Sequence, residues 1–283
     1  MPEPSSGGIG AWTEPAVSAW ARFHVPELPD VEGARREVER HAVGAVVRDV
    51  VGPDGSVLRE TTLPRLRRRM RRHCLRSVRR HGKWLILGTD VPIVVIHFGM
   101  TGQLRWVPLG TETERFQRIS FVTDRGELRF VDRRKLGGIW LADSELDLRT
   151  LLDGLGPDAL GLPCTELERI LTATRQRLKS VLMDQSVVAG LGNMLSDEIL
   201  WRARLHPLRA SSTLTSGERR RLCTAMSSAL TRSVRAGHIP RSPTWLSSQR
   251  AEDNPVCPRC AGELRWSRIN GRSSLWCPHC QPP

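Results

Sequence analysis

Two groups of residues in this 283-residue chain have types and spacings suited to chemistry. One lies near the C-terminal end, where Cys257 and Cys260 are followed, after sixteen residues, by Cys277 and Cys280. Four thiolates in two C-x-x-C pairs at that separation suit a tetrahedral zinc ion in a closed structural site, with no open position for catalysis. His279 falls between the last two cysteines and is expected to be a bystander, because four ligands are already present. The other group is Pro26-Glu27-Leu28-Pro29-Asp30-Val31-Glu32. A proline with a free amine is a secondary-amine nucleophile with a pKa of about 8, so part of it is neutral at pH 7. Such an amine can attack a sugar C1′ and form an iminium, and Glu27 beside it would be placed for proton transfer. The chemistry requires Pro26 to begin the working chain, since an internal proline nitrogen is an amide. Val25 reads as a GUG start, translated as Met and then removed. Proteolytic trimming is an alternative, as is a chain that keeps its extension and never reacts. Met1-Pro2-Glu3 also offers a processed Pro-Glu, but Pro4 and Ser5 follow it, and the match is read as coincidence.

The elements that must position these groups follow from pattern. Pro29 and Asp30 suit a helix start, Val31, Ala34, Val38 and Ala42 recur at helical spacing, and Gly44 stops the run. Residues 45–51 read as a strand. Residues 64–72 carry six arginines around Leu66 and Met70, a solvated basic face by default and a phosphate-facing one as the minority reading. Residues 78–98 read as strands around turns, with Trp84–Leu87 and Ile93–Ile96 apolar enough to be buried on both faces. Residues 119–131 alternate around Asp124-Arg125-Gly126, a hairpin signal. Helices are expected at 178–184, at 194–205 with Asn193 as cap, and from about Ser216 to Ala236 with a stop at Gly237. The N-terminus of the helix after Asn193 would expose N–H groups to phosphate. Residues 239–255 read as loop. Residues 1–24 have no sustained periodicity and are read as disordered or foreign to the working protein.

Net charge is +13, which calls for a polyanionic partner; only three of the 43 basic residues are lysine (Lys83, Lys135, Lys179), so part of that charge reflects arginine-biased composition. No apolar run approaches the length of a membrane span, and no signal peptide opens the chain. The cysteine pattern fits a reducing cytoplasm and a metal site better than a disulfide scaffold.

Several stretches, in order, resemble the formamidopyrimidine-DNA glycosylase/endonuclease VIII family: PELPDVE, His97-Phe98-Gly99-Met100-Thr101-Gly102, Asp132-Arg133-Arg134-Lys135-Leu136-Gly137, Leu155-Gly156-Pro157-Asp158, the string from Leu178 to Pro207, and the cysteine pairs. The resemblance covers nearly all of residues 26–280. It implies an α+β fold, with an N-terminal β-sandwich flanked by helices and a C-terminal helix–two-turn–helix domain with a four-cysteine zinc ribbon. The implied divisions are an extension at 1–25, a catalytic domain at 26–155, a helical DNA-binding domain at 156–250 and a zinc finger at 251–283. It implies a bifunctional DNA glycosylase/AP lyase in which Pro26 and Glu27 act on the sugar, while Lys83, Asn193 and Arg272 hold phosphates. Met100, Arg134 and Leu136 would fill the gap left by an everted nucleotide. Leu136 replaces the family's aromatic wedge and Asp30 its usual glutamate. The segment after Gly237 is shorter than the one that closes over oxidised purines. The implied partner is double-stranded DNA with a damaged base or abasic site, bound by a monomer in the cytoplasm with one structural zinc. Two rival readings remain: a damaged-DNA binder without catalysis, and a zinc-ribbon adaptor unrelated to repair.

Overall fold

The structure, a computed structural model, describes residues 25–53 and 55–283. The extension expected at 1–24 lies outside the described residues. Helix α1 (Leu28–His41) opens on Pro29, whose missing N–H is harmless in a first turn. Asp30 accepts the Glu27 N–H at 2.9 Å and so closes the start of the helix. Its apolar stripe divides between two cores. Leu28 is buried among the helices of the C-terminal half, whereas Val31 and Val38 are buried against strands. Gly33 lets α1 cross the end of a later helix, because a Cβ there would lie 2.8 Å from the Gly237 carbonyl. Each fully buried apolar side chain contributes about 2 kcal/mol. α1 thereby ties the halves together.

Among the described residues, eight strands form two antiparallel four-stranded sheets. One has the order β1 (Val47–Val51), β6 (Gln117–Thr123), β7 (Glu127–Asp132), β5 (Gly102–Val107). The other has β2 (Ser77–His81), β3 (Trp84–Gly88), β4 (Ile93–His97), β8 (Gly138–Ala142). Alternate residues such as Val50, Leu85, Leu87, Ile96, Phe121 and Phe130 meet in one core between the sheets. The opposite face of β3 and β4 is covered as well, since Ile86, Ile93 and Val95 pack with Leu148 of α3 (Glu145–Leu151). That second layer is why both strands read as continuous apolar runs. The arginine-rich segment folds as α2 (Leu63–Met70), with Leu66 and Met70 inward. Three of its arginines are engaged by carboxylates: Arg67 with Asp49, and Arg65 and Arg69 with Asp143.

The second half is helical: α4 (Cys164–Thr172), α5 (Leu178–Met183), α6 (Asn193–Ala203) and α7 (Ser216–Ala236). α7 has the limits expected of it because both ends carry local signals. Thr215 and Glu218 form a capping box, and Gly237 takes the left-handed conformation at its stop. Two expectations change. Residues 246–251 of the expected loop form a 3-10 helix. Cys164 and Cys223, in a chain read as favouring thiols and metal ligation, are joined by a disulfide that links α4 to α7. The last element is a hairpin of β9 (Arg265–Ile269) and β10 (Arg272–Trp276), turned by Asn270 and Gly271, both at positive φ. Among the described residues no helix is long and apolar enough to cross a membrane.

Candidate active site and nucleic-acid interface

Pro26 and Glu27 are buried where α1 meets the turn between α5 and α6. The Glu27 carboxylate caps α6 from across the molecule. Oε2 accepts the N–H groups of Gly192 at 2.8 Å and Leu195 at 3.2 Å, and Oε1 accepts that of Met194 at 2.8 Å. A Cβ at Gly192 would lie 2.3 Å from Glu27 Cδ, so the approach depends on a bare backbone. The Leu28 N–H donates to the Gly190 carbonyl at 3.1 Å. This arrangement corrects two expectations. Gly192, not Asn193, is the N-cap of α6, and the N–H groups expected to meet phosphate are occupied by Glu27. Asn193 turns instead to the C-terminal hairpin, donating Nδ2 to the Ser273 carbonyl at 2.9 Å.

Lys83 stands on the tight β2–β3 turn and acts electrostatically on Glu27, while Arg272, at the start of β10, acts on Lys83. Burial raises the Glu27 carboxyl above its ordinary pKa, against the pull of Lys83 and the three N–H donors. Burial also lowers the Lys83 ammonium, with Glu27 opposing and Arg272 assisting. His97 is pushed down to about 4 by burial and the Lys83 charge, and is neutral at physiological pH. Pro26, Glu27, Lys83 and Arg272 thus share one corner, drawn from separate parts of the chain. Pro26 also lines a cavity of about 940 Å3, bounded among others by Asp30, Phe98, Thr101, Phe116 and Arg241.

The Lys83 turn is held by residues to which the sequence reading gave no role. Arg80 is buried and forms a bidentate pair with Asp158 at 2.5 and 3.0 Å, together with a contact to Glu32 at 3.2 Å. Asp158 also accepts the Gly82 N–H at 2.6 Å. A bidentate arginine–carboxylate pair fixes orientation as well as distance. Asp158 was visible only as part of the LGPDAL string; its partner is 78 residues away, and no local signal joins the two.

Met100 lies half-buried in the turn between β4 and β5. Arg134 is exposed and Leu136 is 48 % exposed in the neighbouring β7–β8 turn. A Cβ on Gly99 would lie 2.4 Å from the Leu136 carbonyl, so the two turns touch through their backbones. The three residues expected to act as a wedge are therefore side by side.

The four cysteine sulfurs converge within 4.8 Å of one another, with Cys257–Cys280 at 3.9 Å and Cys260–Cys277 at 3.6 Å. A tetrahedron with metal–sulfur bonds of about 2.3 Å has edges of about 3.8 Å, so the donor set fits such an ion. The Trp201 indole donates to Cys257 Sγ at 3.3 Å, linking the cluster to α6. A buried carboxylate then fastens the hairpin. Asp197 of α6 accepts from Lys179 Nζ at 2.5 Å, Ser274 Oγ at 2.6 Å, the Leu275 N–H at 2.9 Å and Arg250. Arg272 is thereby presented from an anchored strand.

Comparison with known proteins gives the same direction. Residues 25–139 match the formamidopyrimidine-DNA glycosylase N-terminal domain, and residues 155–242 match the formamidopyrimidine-DNA glycosylase H2TH domain. The formamidopyrimidine-DNA glycosylase of Pelobacter propionicus is 34 % identical, the match covering 91 % of this chain and 100 % of that protein. That of Rhodococcus jostii is also 34 % identical, over 91 % of this chain and 96 % of its own. The structure of the Lactococcus lactis Fpg protein bound to DNA containing an abasic site superposes with a TM-score of 0.82 at 26 % identity, covering 91 % of this chain and 100 % of that one. On these grounds the chain belongs to the formamidopyrimidine-DNA glycosylase family.

Proposed function

We propose that this DNA glycosylase of base excision repair is bifunctional, excising oxidised bases through a Schiff base on Pro26 and nicking the strand as an AP lyase. The observation that carries the reading is the chain of charges beginning next to Pro26, in which Glu27 interacts with Lys83 and Lys83 with Arg272. The working chain is one in which residues 1–25 have been left out or removed. In support, relatives match over their whole length to 91 % of this chain, and the family match begins at residue 25.

The Pro26 amine attacks C1′ of the everted nucleotide, the base leaves, and an iminium remains. Glu27 supplies a proton as the sugar ring opens. Its raised pKa makes the protonated form accessible nearer neutrality than for an ordinary glutamate. The iminium acidifies the neighbouring carbon, so β-elimination and then δ-elimination cut the strand. Lys83 and Arg272 hold the flanking phosphates, Asn193 being turned to the Ser273 carbonyl, while Met100, Arg134 and Leu136 occupy the vacated stack at a cost that damage to the base reduces. The cysteine cluster would hold a structural zinc, which fixes the ribbon and enters no step. Duplex DNA with a damaged base or abasic site is the substrate, acted on by a monomer in the cytoplasm.

Borohydride trapping on abasic-site DNA tests this directly, with one chain starting at Pro26 (initiator Met removed) and another at Met1. A covalent complex with the short chain alone is expected. No trapping by either, with DNA binding intact, would leave a damage sensor. Trapping by both would point to processing, to Pro2 or to a lysine.

A further inference from the structure

We propose that Asp132 is the positioning residue that locks the Met100 turn and the Arg134–Leu136 turn into one rigid wedge, an inference that rests on the function proposed above. Asp132 ends β7 and is fully buried. Its Oδ1 accepts from Thr101 Oγ1 at 2.5 Å and from the Arg134 N–H at 3.1 Å, and its Oδ2 accepts from the Gly137 N–H at 2.8 Å. Thr101 follows Met100 directly, and Arg134 and Gly137 bracket Leu136. A single carboxylate therefore bonds both turns. The Arg134 N–H is shared with Thr101 Oγ1, also at 3.1 Å, which closes a small ring of three groups. Arg59 braces the same turn from the other side, donating to the Gly137 carbonyl at 2.8 Å and to the Ser56 carbonyl at 2.9 Å.

The chemistry explains why an aspartate stands here. All three partners are donors, and an ionised carboxylate is acceptor-only. Hydrogen bonds to a charged acceptor are shorter and stronger than neutral ones, and more so away from water. An amide would aim its own N–H at one of these donors and leave a buried clash. With the carboxylate in place, neither turn can shift without the other, because their backbones are already in contact at Gly99 and Leu136. Side chains that enter a base stack must keep their position against the force restoring the stack, so rigidity at the root of the wedge bears on eversion and not on the sugar chemistry.

Thr101→Val is the decisive variant, because it removes the hydrogen bonds of the Met100 turn to Asp132 and to the Arg134 N–H while keeping side-chain shape, the backbone contact and the buried Asp132. Two substrates separate the roles: a duplex with a stacked damaged base, and a single-stranded oligonucleotide whose abasic site is already unstacked. Excision from the duplex should fall about tenfold. Cleavage of the single-stranded abasic site should stay within about twofold of the parent chain. Thr101→Ser, which keeps the hydroxyl, should restore the duplex rate. Asp132→Asn should show the larger loss on the duplex, with its melting temperature recorded to separate misfolding from mispositioning. An unchanged duplex rate in Thr101→Val, or equal losses on both substrates, would overturn the assignment. If the parent chain cleaves neither substrate, the proposed function fails instead. Eversion is then followed by 2-aminopurine fluorescence beside the lesion, where slower brightening with Thr101→Val supports the Asp132 lock and an unchanged rate refutes it.

Discussion

Two lysine–carboxylate pairs among the described residues are opposite in kind. Lys179 and Asp197 are both fully enclosed, in direct contact at 2.5 Å, with Ser274, Leu275 and Arg250 completing the donors around the carboxylate. Lys83 and Glu27 influence each other only through space, and Lys83 has no hydrogen-bond or ion-pair partner among the described residues. Burial lowers both lysines and a carboxylate raises both, so the residue types alone do not separate them. What separates them is saturation. Asp197 has a partner for each oxygen, which holds a strand in place. Lys83 has donors to spare in a corner that also holds Arg272 and Pro26, which suits a site that receives an anion. A half-buried cation without a direct partner is desolvated without compensation, and functional sites are where such a residue is retained.

Glu27→Gln attacks the unsaturated side and should produce the largest change. Turnover on abasic DNA should fall by about 10²- to 10⁴-fold, the usual worth of a positioned proton donor. Single-turnover rates measured beside DNA affinity give the check: comparable losses in both would mean that Glu27 serves the fold at α6 rather than the reaction. Lys179→Met attacks the saturated side. It leaves Asp197 buried without its ammonium and should cost about 3–5 kcal/mol of stability, read from urea melts. A loss below about 1 kcal/mol would place this pair with exposed ion pairs, and the contrast would fail.

The contrast also shows what was legible in the sequence. The cysteine pairs, α7 and the β6–β7 hairpin were readable because their signals are local: a fixed C-x-x-C spacing, a Thr-x-x-Glu box closed by glycine, an Asp-Arg-Gly turn. Pro26 and Glu27 were named from amine and carboxylate chemistry, and Lys83 and Arg272 through family resemblance; the fold draws them from separate parts of the chain. The cap of α6 was misread for a physical reason. Asn193 has the right type in nearly the right place, but the carboxylate that caps the helix comes from Glu27, 165 residues before Gly192. Arg80 with Asp158, Asp197 with the ribbon, and Cys164 with Cys223 share that character. Each joins segments that only the finished fold brings together, and no periodicity or spacing encodes such a meeting.

Lys83→Ala sharpens the comparison from the other direction. Removing a half-buried ammonium that has no direct partner among the described residues should leave the melting temperature unchanged or raise it, the reverse of Lys179→Met. DNA affinity should fall, and the slope of log affinity against log salt should shrink by about 1, as for the loss of one phosphate contact. A lowered melting temperature with an unchanged salt slope would make Lys83 structural after all.

A third carboxylate tests whether saturation or burial governs the proton affinity of these groups. Glu218 accepts Arg209 through two bonds at 2.5 and 2.9 Å and the Thr215 N–H at 2.8 Å, much as Glu27 accepts three N–H groups. Yet Glu218 is half-buried where Glu27 is enclosed, and it is held down to about 2, chiefly by the Arg209 side chain, from an ordinary 4.5. Glu27, fully buried, moves the other way because desolvation outweighs its donors. The sign for stability follows from linkage. The Glu218 contribution is complete above the unfolded value of about 4.5 and is lost as pH falls towards about 2. Screening by solvent keeps the effect small, about 1 kcal/mol. Melting temperatures between pH 5 and pH 2 should therefore fall slightly less steeply in Glu218→Gln than in the parent chain. Identical slopes would mean that the Arg209 pair contributes nothing measurable, and that burial alone sorts the carboxylates of this protein.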